Sequence, residues 1–514
     1  MSVEQTVVES PELIVKDIAF GEACTSQEMK HFQLTDTFTI TNRDPEFVLA
    51  SNTAFIDFSS SFFSYDLTVA EGTNTTDKYF LDDSAHAVFS EYFSRLDNNQ
   101  TKIDDISGYN VLAPLTLDFA SKDWVESIGG CLDSASTGVK MIRICLNGLT
   151  MTGYTGATAG TATLPNDVTN FGLHEFHDYR SYCNMTGTAD GIGTTFGYIT
   201  AQTYRHAFRP LGFFRTCGMG QGKYFPLFLS GSMLFHFRID DNPRRPYVAL
   251  GATNFNPKMS AAMTLSNTTI TNFTLNARLL YYDANIIGRF KANMSQRPIP
   301  FPYNTWLHNV KSESALAVST DKAISLPISA LSMRSFFVVP IITSYGTDSM
   351  DSTNRPMPQL TMRTSFNQGS TYKTFYQLAV GDKLYPQTKH TFSVGNQKEV
   401  LFDLLRSMSK INDISTGCRF NENNFGCSLP QDTTNHLAYT GTTIFYPSKF
   451  AWGYDLETYN NDDVLSGQDT RTGNPNIVWT FTPSLAATIN CDIHGYGLIN
   501  AKLYLTSNGS LVWK

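Results

Sequence analysis

Along most of the 514 residues, apolar and polar positions alternate with period two, and the runs stop at Gly, Asn, Asp or Pro. That is the pattern of half-buried antiparallel strands. Thr37-Phe38-Thr39-Ile40-Thr41 stops at Asn42, and the alternation over 233–239 stops at Asp240-Asp241-Asn242-Pro243. Gln377-Leu378-Ala379-Val380 and Lys383-Leu384-Tyr385-Pro386 flank Gly381-Asp382, which predicts a hairpin with glycine first in a two-residue turn. Two segments carry a helical period instead. After a cap at Asp82, Asp83 or Ser84, one face would hold Ala85, Val88, Phe89, Tyr92, Phe93 and Leu96. The second starts at Asn396 with Glu399 three residues on, and gathers Val400, Leu401, Leu404, Leu405, Met408 and Ile411. Its Arg406 and Lys410 fall near the end, where the helix dipole favours cations. Neither polar face has the basic stripe of a helix that reads a DNA groove, so each is expected to pack on the end of a sheet.

Arg297-Pro298-Ile299-Pro300-Phe301-Pro302 interrupts the middle of the chain. Proline fits neither a helix interior nor the middle of a sheet, so a linker is expected over 296–313. The segment before it contains Asn276-Ala277-Arg278-Leu279, and the segment before the C-terminus contains Asn500-Ala501-Lys502-Leu503. Both read Asn-Ala-base-Leu in the closing strand of a half, which points to duplication. The expected fold is all-β, two similar β domains in tandem, with short helices and, because each exceeds a bare sandwich in length, long inserted loops.

Composition narrows the function. Lys and Arg number 38 against 46 Asp and Glu, a net charge of −8, which argues against a broad phosphate-gripping face. Charged residues are only 16%, against about 25% in an average soluble domain. Large uncharged sides suit contact with neighbours, because burying unpaired charge at a contact costs several kcal/mol. No run approaches the ~18 apolar residues of a membrane span; 336–342 is short and contains Pro340. The opening MSVEQTVVESPELIVKDIAF has acids where a secretory signal carries a basic start and an apolar block, so retention inside the cell is expected. The eight cysteines (Cys24, Cys131, Cys145, Cys183, Cys217, Cys418, Cys427, Cys491) lack paired spacings and are expected as free thiols. The sequons at Asn74, Asn184 and Asn267 are then expected to stay unmodified.

Candidate chemistry is sparse. His174-Glu175-Phe176-His177-Asp178 places its histidines three apart, not the four a zinc helix needs, and Cys183 would be a third ligand only from a loop. Gly218-Met219-Gly220-Gln221-Gly222-Lys223-Tyr224 puts Tyr224 where a phosphate loop needs Ser or Thr. The stretch 204–215, Tyr-Arg-His-Ala-Phe-Arg-Pro-Leu-Gly-Phe-Phe-Arg, could stack bases but reads better as interface or core. Asp82-Asp83, Asp104-Asp105 and Asp462-Asp463 are expected to be caps and turn residues. No catalytic, cofactor-binding or metal residue is nominated; no enzyme activity and no cofactor are expected. The alternative from another class is a β-sandwich carbohydrate-binding protein or glycoside hydrolase, favoured by the many aromatics; hydrolysis would need two carboxylates about 5 to 10 Å apart across a cleft.

A resemblance adds to this reading. Asp44-Pro45-Glu46-Phe47-Val48-Leu49, then Thr53-Ala54-Phe55-Ile56-Asp57-Phe58-Ser59, then the expected helix with Ala87-Val88-Phe89-Ser90 resemble the opening of double jelly-roll major capsid proteins, closest to those of polinton-like viruses and virophages. Pro358-Gln359-Leu360 and Lys383-Leu384-Tyr385-Pro386 followed by a helix resemble their second half. The resemblance implies two tandem eight-stranded jelly rolls, three copies closing a pseudo-hexameric capsomer, and an icosahedral shell around double-stranded DNA. It implies a homotrimer whose partners are neighbouring capsomers and penton and minor capsid proteins, with no specific nucleic-acid binding and no cofactor. The chain would reside in the virion after assembly inside the host cell. The corresponding boundaries are an N-terminal extension at 1–30, a first roll with turret loops at 31–295 (the turret itself about 130–230), the linker at 296–313 and a second roll at 314–514. The resemblance implies nothing about an internal membrane.

Overall fold

The computed structural model describes residues 24–69, 78–81, 84–96, 101–121, 203–217, 224–242, 245–250, 268–296, 298–313, 322–342, 373–392, 397–410, 417–420, 450–457, 466–473, 475–482, 491–506 and 509–513, with the short pieces 124, 132–133, 142–144, 177–179, 257–258, 363 and 425. The first part of the chain supplies β1 (Cys24–Gln33), β2 (Glu46–Ala50), β3 (Ala54–Val69), β4 (Lys78–Leu81), β5 (Phe89–Leu96), β6 (Thr101–Ser107), β7 (Ile142–Ile144), β8 (His177–Tyr179), β9 (Thr203–Phe208), β10 (Phe225–Pro226), β11 (Ser232–Ile239), β12 (Tyr247–Leu250), β13 (Pro257–Lys258) and β14 (Thr268–Tyr282). The second supplies β15 (Ile299–Glu313), β16 (Lys322–Ser325), β17 (Met333–Ile342), β18 (Lys373–Val380), β19 (Lys383–Phe392), β20 (Trp452–Asp455), β21 (Pro475–Thr482), β22 (Cys491–Thr506) and β23 (Gly509–Trp513).

The sheets repeat one plan. In the second part, β15-β22-β17-β20 packs on β16-β21-β18-β19, so eight strands in chain order lie as 1-8-3-6 and 2-7-4-5. In the first part, β1-β14-β3-β10 and β2-β11-β5-β6 give the same two orders. All pairings are antiparallel, and each part is an eight-stranded roll of interleaved Greek keys. The small sheets β13-β12-β4 and β7-β8 lie outside these eight strands. Both parts contribute to one continuous apolar core. In the first roll its centre is aromatic: Phe63 of β3 meets Phe47, Phe235 and Phe237 of the facing sheet edge to face at 5.0–5.7 Å, the geometry ring quadrupoles prefer.

The duplicated motif falls where duplication requires. Asn276 and Asn500 lie in β14 and β22, the eighth strand of each roll, and both are buried with Ala277 and Ala501 beside them. Asn276 stands opposite His31 of the first strand and Phe62 of the third. Asn500 stands opposite Asn304 of β15 and takes a backbone bond to the Ser332 carbonyl just before β17.

Several expectations need correction. The helix read over 82–96 is a turn at 85–88 followed by β5. Phe89, Tyr92 and Leu96 do share a buried face, but a register shift against β11 leaves Ser90 as an extra residue in β5 and produces the uneven spacing, as bulges do. The linker expected over 296–313 is strand β15. Among the described residues its only ladder partner is β22, and an edge strand has one side that needs no donors, so Pro300 and Pro302 fit there. The N-terminal extension expected to reach residue 30 is shorter, because β1 begins at Cys24. The run at 37–41 makes a single bridge, Phe38 to Ile270, rather than a strand.

The hairpin at 377–386 is formed, with Gly381 at φ +59° in the turn between β18 and β19. The helix expected from Asn396 runs Lys398–Ser407, with Val400 and Leu404 buried and Phe402 turned out; Asn396 and Ile411 lie outside the described residues. The sequence reading missed the helices Tyr109–Asp118 and Ala284–Gln296. The first is buried almost all round, so it carries no amphipathic stripe to be read. Among the described residues no helix is long and apolar enough to cross a membrane.

Candidate functional site

The most elaborated surface is the seam where the second roll sits on the first. Strand β15 runs beside β6, and its side chains enter a polar network that the first roll has prepared. Asp104 of β6 is fully buried and accepts from Ser94 Oγ (2.8 Å), from the Phe213 backbone N–H (3.1 Å) and, across the seam, from Thr305 Oγ1 (2.6 Å). A buried carboxylate is tolerated when donors surround it in this way. Gly212, at φ +86°, lets the backbone pass the carboxylate, since a Cβ there would collide with Asp104 Oδ1. Tyr303 donates its hydroxyl to the Ile103 carbonyl at 3.0 Å; burial and the Asp104 charge push that phenol well up, so it stays a donor. The Asn304 backbone N–H reaches Thr216 Oγ1 at 3.0 Å.

Further along, a stack of rings closes the seam. Ser107 Oγ bonds His308 Nδ1 at 2.8 Å, and His308 Nε2 meets His494 Nδ1 at 3.0 Å. The His308 ring lies 4.6 Å from Tyr496, whose hydroxyl donates to the Gly108 carbonyl at 2.8 Å. Gly108, at φ +57°, is again the residue that permits approach: a Cβ would stand 2.7 Å from the His308 ring. Burial, and then His494, push His308 well below its ordinary value, and burial lowers His494 to about 3. Both rings are therefore neutral at pH 7 and share their contact as one donor and one acceptor. At the far end of the helix Tyr109–Asp118, buried Asp118 pairs with Arg363 of the second roll at 2.9 Å.

Beside the seam opens a cleft of about 640 Å³ lined by Arg43, Glu91, Arg238, Arg245, His308 and Asp492 among others. Its charges are matched: Arg238 with Glu91 at 3.4 Å and Arg245 with Asp240 at 3.2 Å, while Asp492 accepts from Ser312 at 2.5 Å. An enzyme-like trio also exists, among residues that do not line this cleft. His86 Nε2 contacts Asp133 Oδ1 at 3.0 Å and His86 Nδ1 contacts Tyr109 Oη at 2.8 Å, all three buried. Burial pushes Asp133 up, but Arg215, His86 and the Arg209 N–H outweigh it and hold the carboxyl at about 2. Burial lowers His86 and raises Tyr109, so the trio is a neutral ring bridging an ionised Asp and a neutral phenol. Asp133 also takes the Ala85 N–H on its carbonyl and donates its own N–H to the Ala207 carbonyl, so the arrangement ties the 85–88 turn to β9.

Away from the seam, matching elements are bare. Strand β1 is exposed from Thr25 to His31, the helix Lys398–Ser407 leaves Phe402 53% exposed, and Leu384 of β19 is exposed as well.

Of the residues considered from sequence, Phe208, Phe213 and Phe214 are core, and Arg205 and Arg215 pair with Asp66 and Asp133, so the 204–215 stretch is structural. Asp104, expected in a turn, is instead the strand residue at the centre of the seam, whereas Asp105 is exposed beside Lys102 at 2.7 Å. Cys24, Cys217, Cys418 and Cys491 carry free thiols. Cys131, Cys145, Cys183, Cys427, 218–223, Asp82-Asp83, Asp462-Asp463 and, apart from β8, the histidine-rich loop at 174–178 lie outside the described residues. His308, His494 and Tyr496 were not singled out from sequence; their only signal is a polar ring at every second position of otherwise apolar strands.

No protein-family model and no curated protein sequence matches the chain. Solved structures do. A chain in the cryo-EM structure of the Sputnik virophage is similar over 95% of this chain and 88% of its own, with a TM-score of 0.51 and 12% identity. This chain has the double jelly-roll fold. The mavirus major capsid protein aligns over 95% of this chain and 90% of its own, with a TM-score of 0.49 and 9% identity. Identity this low speaks to fold and not to function. The double jelly roll here is the tandem 1-8-3-6 and 2-7-4-5 plan already described, joined by a seam of buried polar groups.

Proposed function

We propose that this chain is a major capsid protein: a structural tile, not an enzyme, whose copies close as homotrimeric, pseudo-hexameric capsomers in the icosahedral shell of a double-stranded DNA virus. The observation that carries the reading is the repeat of one roll twice in a single chain, joined through a seam of buried polar groups, in a fold similar over nearly its full length to a chain of a virus particle. Two rolls per chain offer two neighbouring corners of a hexagon, and three chains complete it. The strands of the two rolls fall within 24–282 and 299–513. Neighbouring capsomers, penton and minor capsid proteins are the partners, and the virion is the location. The composition supports it: few charges for flanks that neighbours cover, and a net charge of −8 for a tile that must not settle on DNA. The carbohydrate reading loses its motive, because the aromatics that favoured it form the roll interiors.

The test is the mass and shape of the purified protein. We expect a trimer of about 172 kDa, three times 57.2 kDa, that persists on dilution, and negative-stain images of a thick tile with a hexagonal outline. A stable, folded monomer at micromolar concentration would overturn the proposal.

A further inference from the structure

Where the seam meets the cleft, a line of bonds through two histidines holds the rolls together. Ser107 Oγ of the first roll bonds His308 Nδ1 of β15 at 2.8 Å, and His308 Nε2 meets His494 Nδ1 of β22 at 3.0 Å. Tyr496 Oη also lies 3.4 Å from His494 Nδ1, but its hydrogen goes to the Gly108 carbonyl. Between the two facing ring nitrogens there is room for one hydrogen, since with both rings neutral one nitrogen donates and the other accepts. A first added proton keeps the line intact. If His308 Nε2 is the donor, the proton goes to His308 Nδ1 and Ser107 Oγ turns acceptor; if His494 Nδ1 is the donor, it goes to His494 Nε2. In either case a second proton falls on a nitrogen that already faces an N–H, and two cations then meet across 3.0 Å.

The surroundings do not offset that charge. His390 has the Asp403 carboxylate at 2.8 Å to hold a proton, whereas among the described residues no carboxylate is bonded to His308 or His494. The charges lining the cleft beside the two rings are Arg43, Arg238 and Arg245 with Glu91, Asp241 and Asp492, equal in number. Glu91 is taken by Arg238, and Asp492 accepts from Ser312. β17 adds Ile341 and the helix Tyr109–Asp118 adds Asn110 and Val111, none of which titrates. Burial disfavours a charge on either ring, and after it Arg245 opposes a proton on His494.

We infer that the His308–His494 contact is an acid-released latch: it keeps the cleft end of the seam closed while the pair carries at most one added proton, and the second proton parts the two rolls there while each roll stays folded. The rolls can part without unfolding because the strands of each sheet come from one roll only, so no ladder crosses the seam. What crosses it near the latch is side-chain bonding, from Ser107 to His308 and from Tyr496 to Gly108. The latch lies within one chain, so the inference stands apart from the capsid reading and does not depend on copy number.

Trp306 reports on the latch: it is buried and lies two residues before His308 in β15, on the same side of the strand. Full-length protein is titrated from pH 7 to about pH 3 and followed by tryptophan emission and far-UV circular dichroism. A reversible red shift that W306F lacks should appear at a pH where the dichroism is unchanged. Across that step the ratio of open to closed protein should rise at least about tenfold for each pH unit, because opening takes up one proton or more. H308Q and H494Q each keep a neutral hydrogen-bonding group in the contact and leave one titrating ring, so each should move the step about one pH unit or more toward acid. Emission that stays fixed down to about pH 3, or emission and dichroism that change together in the wild type, would overturn the latch whether or not the variants fold. A step at unchanged pH in both variants would overturn it as well, by assigning the opening to other groups.

Discussion

Asp104 concentrates the residue-scale logic of the seam, since one buried carboxylate organises donors from β5, from the loop at Gly212 and from the second roll. Asp104→Ala leaves three buried donors without an acceptor, each costing about 1–3 kcal/mol. Urea unfolding should register a loss of about 3 kcal/mol or more, and an unchanged midpoint would show that the network is replaceable. The ring stack makes a pH prediction. A histidine whose folded value lies below the ordinary 6.5 adds stability that is complete above that value and is lost as pH falls toward the folded one, because the unfolded chain takes up protons first. His494 is lowered to about 3 by burial and His308 well below its ordinary value, so the melting temperature should fall between about pH 6.5 and 3. His494→Phe should flatten that slope in thermal melts at stepped pH. His390, raised by its bond to Asp403, works in the opposite direction and supports stability at low pH.

At the scale of elements, the helix Lys398–Ser407 carries two kinds of apolar residue that sequence alone ranks together. Leu404 is fully buried against the sheet, whereas Phe402 is open. Leu404→Ala should cost about 2–5 kcal/mol by leaving a cavity, and Phe402→Ala less than about 0.5 kcal/mol in the isolated chain. Denaturant titration of monomeric protein separates them; equal losses would place Phe402 in the core. The same element shows how much was legible. Its period of three and four, its acidic start and Arg406 near its end survive in the structure because an amphipathic helix on a sheet is a local pattern. The segment at 85–96 gave nearly the same pattern and is a turn followed by a strand, because a bulge against β11 at Ser90 spaces its inward residues unevenly.

For the whole molecule, charge and assembly are the readable quantities. A chain of net charge −8 should give no electrophoretic shift of duplex DNA at about 150 mM salt, where phosphate contacts by scattered lysines are screened. A discrete, saturable shift would contradict the reading of the tile as indifferent to its cargo. The two rolls also differ in exposure although they share a plan, the first having its post-β6 helix covered and the second its counterpart bare. That asymmetry is a property of the assembled pair and of neither roll alone.

The sequence by itself determined the all-β class, the two-residue hairpin turn at Gly381, the amphipathic helix after β19 and, through Asn-Ala-base-Leu, the duplication. Each of these is written in residues close to one another, by alternation, turn chemistry or repetition. Only the tertiary structure decided that the proline-rich segment is a strand, because that depends on its having one neighbour rather than two. Only the tertiary structure joined Asp104 to Thr305, 201 positions apart, and His308 to His494, 186 apart. Alternation states that a face is buried without naming what buries it, and the seam consists of such partnerships between distant faces.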